Sequence, residues 1–151
     1  DALPELLKQF QIVHLCGKGK LDESLVGTPG YVQYEYIQDE LANLFALCDV
    51  VVSRAGANAI CELLALRKPA LLIPLSAKAS RGDQILNAKS FERQGFSMVL
   101  EEETLTKEKF LSAVQHLYDH RSDYIRAMEE CPQSDAIGTI IGLFDEVTSG
   151  R

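Results

Sequence analysis

Short runs of β-branched and aromatic residues alternate with amphipathic stretches along most of this chain, and that alternation limits the folds open to it. The runs are QIVHLCG (11–17), YVQYEYI (31–37), DVVVSRAG (49–56), ALLIPL (70–75) and SMVLEE (97–102). Each is too short to be a helix of its own and is rich in residues that suit a pleated sheet. Between most of them lie helical stretches: ELANLFALC (40–48), NAICELLAL (58–66) and DQILNAKSFERQG (83–95). Gly95 closes the last, where a helix C-terminus favours glycine. A βαβα order returns each strand in the same direction, which predicts a mainly parallel sheet covered by helices on both faces. This is a Rossmann-like, doubly wound α/β domain. After SMVLEEE the strands cease, and TKEKFLSAVQHLYDHRSDYIRAMEE followed by SDAIGTIIGLFDEV predicts two or three helices. No repeat or linker interrupts the order, so residues 1–151 read as a single domain.

At 151 residues and 46% hydrophobic, the chain has material for one core. No apolar run approaches the roughly 18 to 20 residues that span a bilayer, so no direct membrane insertion is expected. The opening DALPELLKQF lacks the pattern of a signal peptide. A formal net charge of -7 argues against nucleic acid or an anionic lipid surface as partner, since both require a concentrated basic face. Any anion must therefore be held locally. Cys16, Cys48, Cys61 and Cys131 show no CxxC pair and no metal-ligand spacing, and read as buried, reduced thiols of a cytoplasmic protein. Neither a metal nor a cofactor is expected. The first helix, ALPELLKQF, has no strand before it and the chain opens without methionine, so we expect a piece of a longer protein. Its first strand and a glycine-rich turn would lie upstream of Asp1, that strand falling between the strands at 11–17 and 49–53.

SRAGANAICE (53–62) is the most informative segment. A strand ends, Gly56 offers a backbone that a ligand can approach, and helix N–H groups near Ala57, Asn58 and Ala59 present the positive end of the helix dipole. Glu62, about one turn inside, can accept two hydrogen bonds from vicinal hydroxyls, as the acidic residue of dinucleotide folds does with a ribose. The alternatives are a plain tight turn at Gly56 and a dipole-complementing role for Glu62. Arg54 is open between a phosphate and a structural ion pair.

HLCGKGK (14–20) turns through two glycines but has the spacing of neither GxGxxG nor the Walker A loop. His14 reads as a hydrogen-bonded core histidine, and His116 and His120 as residues of a solvated helix face. None has a nucleophile beside it, which removes support for a Ser-His-Asp or Cys-His hydrolase. In SRGDQILNA (80–88), Asp83 either caps the helix or meets ligand, and the amide of Gln84 both donates and accepts, as sugar hydroxyls require.

Together, SRAGANAICE, ALLIPL and the loop leading to DQILNA resemble the donor-binding half of the MurG family, bacterial transferases that add N-acetylglucosamine (GlcNAc) to the membrane-bound precursor lipid I. HLCGKGK and EYIQDELANLFALCD fit the same order, so the resemblance spans nearly the whole chain. It implies the C-terminal half of a two-domain GT-B glycosyltransferase acting in peptidoglycan synthesis at the cytoplasmic face of the cell membrane. UDP-GlcNAc would be the donor and lipid II the product. Position by position, it gives Glu62 the ribose hydroxyls, the backbone around Gly56, Ala57 and Asn58 the diphosphate and sugar, and Ile37 the uracil. Gln84 matches the second glutamine of a pair that holds the GlcNAc hydroxyls. Asp83 stands where the first glutamine usually is, replacing a donor and acceptor with an acceptor alone. Cys16 replaces a small hydroxyl residue, leaving Gly17 and its neighbours to act through backbone N–H groups. The acceptor site, membrane-facing patch and general base of the family belong to the other half, so no catalytic residue is expected here, and the lipid-linked acceptor would be met through the N-terminal domain. The expected chemistry is an inverting displacement at the anomeric carbon without a metal ion. Other readings are the donor-binding subunit of a dolichol-linked GlcNAc transferase, a related glycolipid transferase, or a non-catalytic nucleotide-binding regulatory module.

Overall fold

The computed structural model describes residues 1–37, 41–77 and 82–131. In chain order its elements are α1 (Leu3–Leu6), β1 (Ile12–Leu15), β2 (Tyr31–Tyr34), α2 (Leu41–Leu47), β3 (Val51–Ser53), α3 (Ala57–Ala65), β4 (Ala70–Leu72), α4 (Asp83–Arg93), β5 (Ser97–Val99), α5 (Lys107–Asp119) and α6 (Arg121–Glu129). Short 3₁₀ turns cover Glu23–Leu25 and Glu102–Thr104. The helix expected in SDAIGTIIGLFDEV lies outside the described residues, as do residues 78–81 of the loop before α4.

All strand pairings among the described residues are parallel, as the alternation requires. They form two sheets, β1-β2 and β3-β4-β5. The second holds the core. Along β4 the side chains alternate: Ala70 and Leu72 pack with Ala55, Ile60, Leu63 and Ala88 on the α3/α4 face, whereas Leu71 packs with Val114 and Leu117 of α5 on the other. Ala70, Leu71 and Leu72 are all buried, as a central strand covered on both faces demands. Each of the two leucines contributes about 2 kcal/mol by burial. Leu6 and Phe10 carry the α1 region onto the α5 face, where the Phe10 and Tyr118 rings meet edge to face at 5.2 Å.

Main-chain hydrogen bonds close the turn from α3 into β4. The Lys68 N–H donates to the Leu63 carbonyl at 2.9 Å and the Arg67 N–H to that of Leu64 at 3.0 Å. This closure places Arg67 at φ +50, where glycine is the usual occupant. Lys68 then reaches the carbonyl end of α2, its Nζ donating to Cys48 O at 2.9 Å and Ala46 O at 3.3 Å. The cation satisfies carbonyls that the end of a helix leaves without partners.

Several expectations change in detail. His14 is hydrogen-bonded, its Nδ1 2.8 Å from the Tyr31 hydroxyl, but it is exposed, because the described residues leave much of the β1-β2 sheet uncovered. The cysteines are free, yet Cys16, Cys48 and Cys131 are only half-buried and Cys61 is exposed. Gly56 has ordinary extended torsions, φ -66 and ψ 145, which any residue can adopt. No atom lies within 4 Å of where its Cβ would be. Open space in front of the backbone is what it provides.

Candidate functional site

The loops at the carboxyl ends of β3, β4 and β5 converge around the N-terminus of α3. Strand β3 ends at Ser53, Arg54 and Ala55 carry the chain out of the sheet, and Gly56 is the N-cap of the nine-residue α3 with no side chain capping it. Ala57 and Asn58 occupy the first two helical positions and are exposed. A helix start without a side-chain cap leaves N–H donors and a partial positive charge facing outward, which suits an anion. Glu62 lies further along α3, exposed, and its carboxylate makes no hydrogen bond or ion pair to another described residue.

Helix α4 closes one side. Gly82 is its N-cap in a left-handed conformation, φ +86, so Asp83 is the first helical residue and does not cap. Asp83 is exposed, and Gln84 half-buried. The Gln84 Oε1 accepts the Leu75 N–H at 3.1 Å, binding the first turn of α4 to the loop after β4. One turn on, Asn87 Nδ2 donates to the Ala55 carbonyl at 3.1 Å, directly before Gly56. Helix α4 is thereby fixed against both strand ends.

Arg54 is ion-paired to Glu102. Its Nη2 donates to Glu102 Oε1 at 2.8 Å and its Nη1 to the Ile73 carbonyl at 3.1 Å. Glu102 accepts the Ser76 N–H at 3.2 Å with its other oxygen. The hydrogen bond from Arg54, and then that from Ser76, hold the Glu102 carboxyl below its ordinary range, outweighing the smaller opposing effect of desolvation. One carboxylate and one guanidinium thus tie together the ends of three adjacent strands.

Gly17 and Ile37 follow β1 and β2, on the separate sheet, at the same carboxyl side of their strands. Gly17 has φ +88 and Gly19 φ +71, so the HLCGKGK turn needs both glycines. The Gly19 N–H donates to the Glu35 carboxylate, joining this turn to the end of β2 two residues before Ile37. Sequence reasoning did not single out Glu35, Asn87 or Glu102. Asn87 lay within DQILNA, one helical turn beyond Asp83, and Glu102 was the last residue of the run SMVLEE, three residues beyond the end of β5. Among the described residues no group of three or more His, Cys, Asp or Glu could hold a metal ion, and no helix is long and apolar enough to cross a membrane.

The sequence profile of the glycosyltransferase family 28 C-terminal domain matches residues 1–140. The chain belongs to this family. The family 28 domain is 64% identical over 147 residues, 97% of its length, to the UDP-N-acetylglucosamine--N-acetylmuramyl-(pentapeptide) pyrophosphoryl-undecaprenol N-acetylglucosamine transferase of Lachnoclostridium phytofermentans. It is 63% identical over 144 residues, 95% of its length, to the protein of the same name from Lachnospira eligens. It spans 41% of the length of each of these relatives. In structure it resembles MurG of Acinetobacter baumannii, with a TM-score of 0.70 at 21% identity over 93% of this chain and 43% of that one. The kitacinnamycin glycotransferase gives 0.73 at 18% identity, over 96% of this chain and 38% of that one. The fold is the Rossmann-like α/β half of a GT-B glycosyltransferase, the α/β class as the strand and helix order predicted and the GT-B half as the resemblance implied.

Proposed function

We propose that this family 28 domain binds UDP-GlcNAc as the donor-binding half of an inverting transferase that moves GlcNAc to lipid I and forms lipid II. The observation that carries the reading is the open start of α3. An uncapped helix N-terminus fronted by the unobstructed Gly56 suits a diphosphate, and the carboxylate of Glu62 on the same helix, without a partner among the described residues, suits ribose hydroxyls. The names of the relatives at 64% and 63% identity supply the donor and the acceptor. In this reading Gly56, Ala57 and Asn58 hold the diphosphate and sugar, with Arg54 at their flank. Glu62 holds the ribose, Ile37 the uracil, and Gly17 gives backbone N–H groups from the turn after β1. Gln84 meets the GlcNAc hydroxyls beside Asp83.

The displacement needs the charge developing on UDP to be stabilised as the anomeric bond breaks, and preorganised helix amides supply that with little reorganisation. The general base, the lipid acceptor site and the membrane-facing surface belong to the N-terminal domain, and the whole protein works at the cytoplasmic face of the membrane. Residues 1–151 alone bind donor and do not turn over.

Titration of the intact protein with UDP, UDP-GlcNAc and UDP-glucose tests this. Tight UDP binding, strengthened by GlcNAc and not by glucose, is the expected result. Absence of UDP binding would refute the donor site, and equal affinity for the two sugar nucleotides would refute the assignment of the sugar.

A further inference from the structure

The structure assigns Glu102 as a positioning residue for the sugar end of the donor site, acting through Arg54 and the loop after β4. This rests on the donor-site reading above and adds a residue that the resemblance did not supply. Two consecutive amides of the loop are held by different elements: Leu75 donates to Gln84 of α4, and Ser76 donates to Glu102 of the 3₁₀ turn after β5. The same Glu102 carboxylate orients the Arg54 guanidinium, whose other nitrogen holds the Ile73 carbonyl. Residues 73, 75 and 76 are therefore fixed from three directions, and Gln84 takes its own placement from one of those bonds.

A carboxylate suits this post because the task needs two acceptor oxygens and a counter-charge. Neutral glutamine offers one acceptor oxygen and an amide that would face an N–H donor. The pair is also partly exposed, with side chains 49% (Arg54) and 33% (Glu102) accessible, so it adds little to global stability. Its effect is local geometry, and small displacements of the loop pass directly to Gln84. A site that recognises hydroxyls by hydrogen bonds discriminates sharply only while its donors are held in place.

The test uses the intact protein and compares wild type with Glu102→Gln and Glu102→Asp, measuring affinities for UDP and UDP-GlcNAc together with melting temperature. Glu102→Gln is expected to reduce the advantage of UDP-GlcNAc over UDP by about threefold, a part of what one neutral hydrogen bond to the sugar supplies. UDP affinity should change by less than about twofold, because Glu102 bonds to Arg54 and Ser76 and to none of Glu62, Ile37 or the amides at the start of α3. Glu102→Asp keeps both oxygens and the charge, and should recover part of the lost advantage. An unchanged advantage in Glu102→Gln would overturn the assignment. Parallel loss of both ligands with a lowered melting temperature would make Glu102 a scaffold residue and overturn it equally. If wild type itself showed no preference for UDP-GlcNAc over UDP, the failure would belong to the donor-site reading, before any variant was compared.

Discussion

Gln84 gives its side-chain oxygen to the Leu75 N–H at 3.1 Å, so the residue proposed to read the sugar also braces the loop beside it. The two ends of the amide thereby separate two roles. Its oxygen serves the protein, and its NH₂ is the end suited to donate to a hydroxyl. Gln84→Glu keeps an acceptor for Leu75 and removes the donor, whereas Gln84→Ala removes both. Calorimetry should show both variants losing about 1 kcal/mol of UDP-GlcNAc binding relative to UDP. Only the alanine variant should also melt earlier. A glutamate variant with full preference for UDP-GlcNAc would place the sugar contact elsewhere.

Glu62 should behave in the opposite way, important to ligand and neutral to folding. It is exposed and without a side-chain partner among the described residues, so Glu62→Gln is expected to change unfolding stability by no more than ordinary surface substitutions do, about 0.5 kcal/mol. The same change removes one of two acceptors for the ribose and should weaken UDP by about 1 to 3 kcal/mol. Unchanged UDP affinity would return Glu62 to the role of a solvated helix residue.

The alternation of short strands and helices made the α/β class, the parallel pairings and the carboxyl-end loops legible in the sequence, because periodicity is a local property. Gly56, Asn58, Glu62 and Gln84 could be singled out for the same reason, each sitting at or just beyond the junction of a strand and a helix. What stayed hidden was long-range. Arg54 and Glu102 are 48 residues apart, and nothing local distinguishes Glu102 from its neighbours Glu101 and Glu103. The Asn87 bond to Ala55 spans 32 residues. The exposure of His14 depends on what covers a sheet face, which a hydrophobic flank in the sequence does not report.

Acid should loosen the contact between α1 and α5. Lys107 Nζ donates to Glu5 Oε1 at 2.8 Å, and this hydrogen bond is the main reason the Glu5 carboxyl titrates below its ordinary value of 4.5. A carboxyl with a lowered folded pKa contributes its full stabilisation above the unfolded value and loses it as pH falls through the folded one. Melting temperatures of wild type and Glu5→Gln should therefore differ by a constant amount near neutrality, with wild type higher. The gap should begin to close as pH drops past about 4.5 and vanish at lower pH. The carboxyls of Glu102 and Glu108, likewise held below their ordinary value, are common to both proteins and largely cancel in the comparison. A gap that persisted through strong acid would show that the ion pair is not its source.

The two sheets predict where an additional strand belongs. Among the described residues β1 pairs only with β2, and β3 only with β4, so each presents one edge without a strand partner. On one face of the first sheet, Val13 lies opposite Val32 and Leu15 opposite Tyr34, and these four side chains are 38% to 44% exposed. Val52 on β3 is 45% exposed. Unpaired edges beside exposed apolar side chains invite association. We propose that a strand from before Asp1 pairs with both edges and joins the sheets into one, bringing a glycine-rich turn to the carboxyl side where Gly17 and Gly56 lie. A longer form carrying that segment should melt at least about 5 °C higher than residues 1–151, since shielding several such side chains contributes a few kcal/mol. It should sediment as a monomer where the shorter form associates, and it should bind UDP more tightly through the added N–H groups. Equal melting temperature, equal UDP affinity and a monomeric short form would together show that the gap between β1 and β3 is not a strand site.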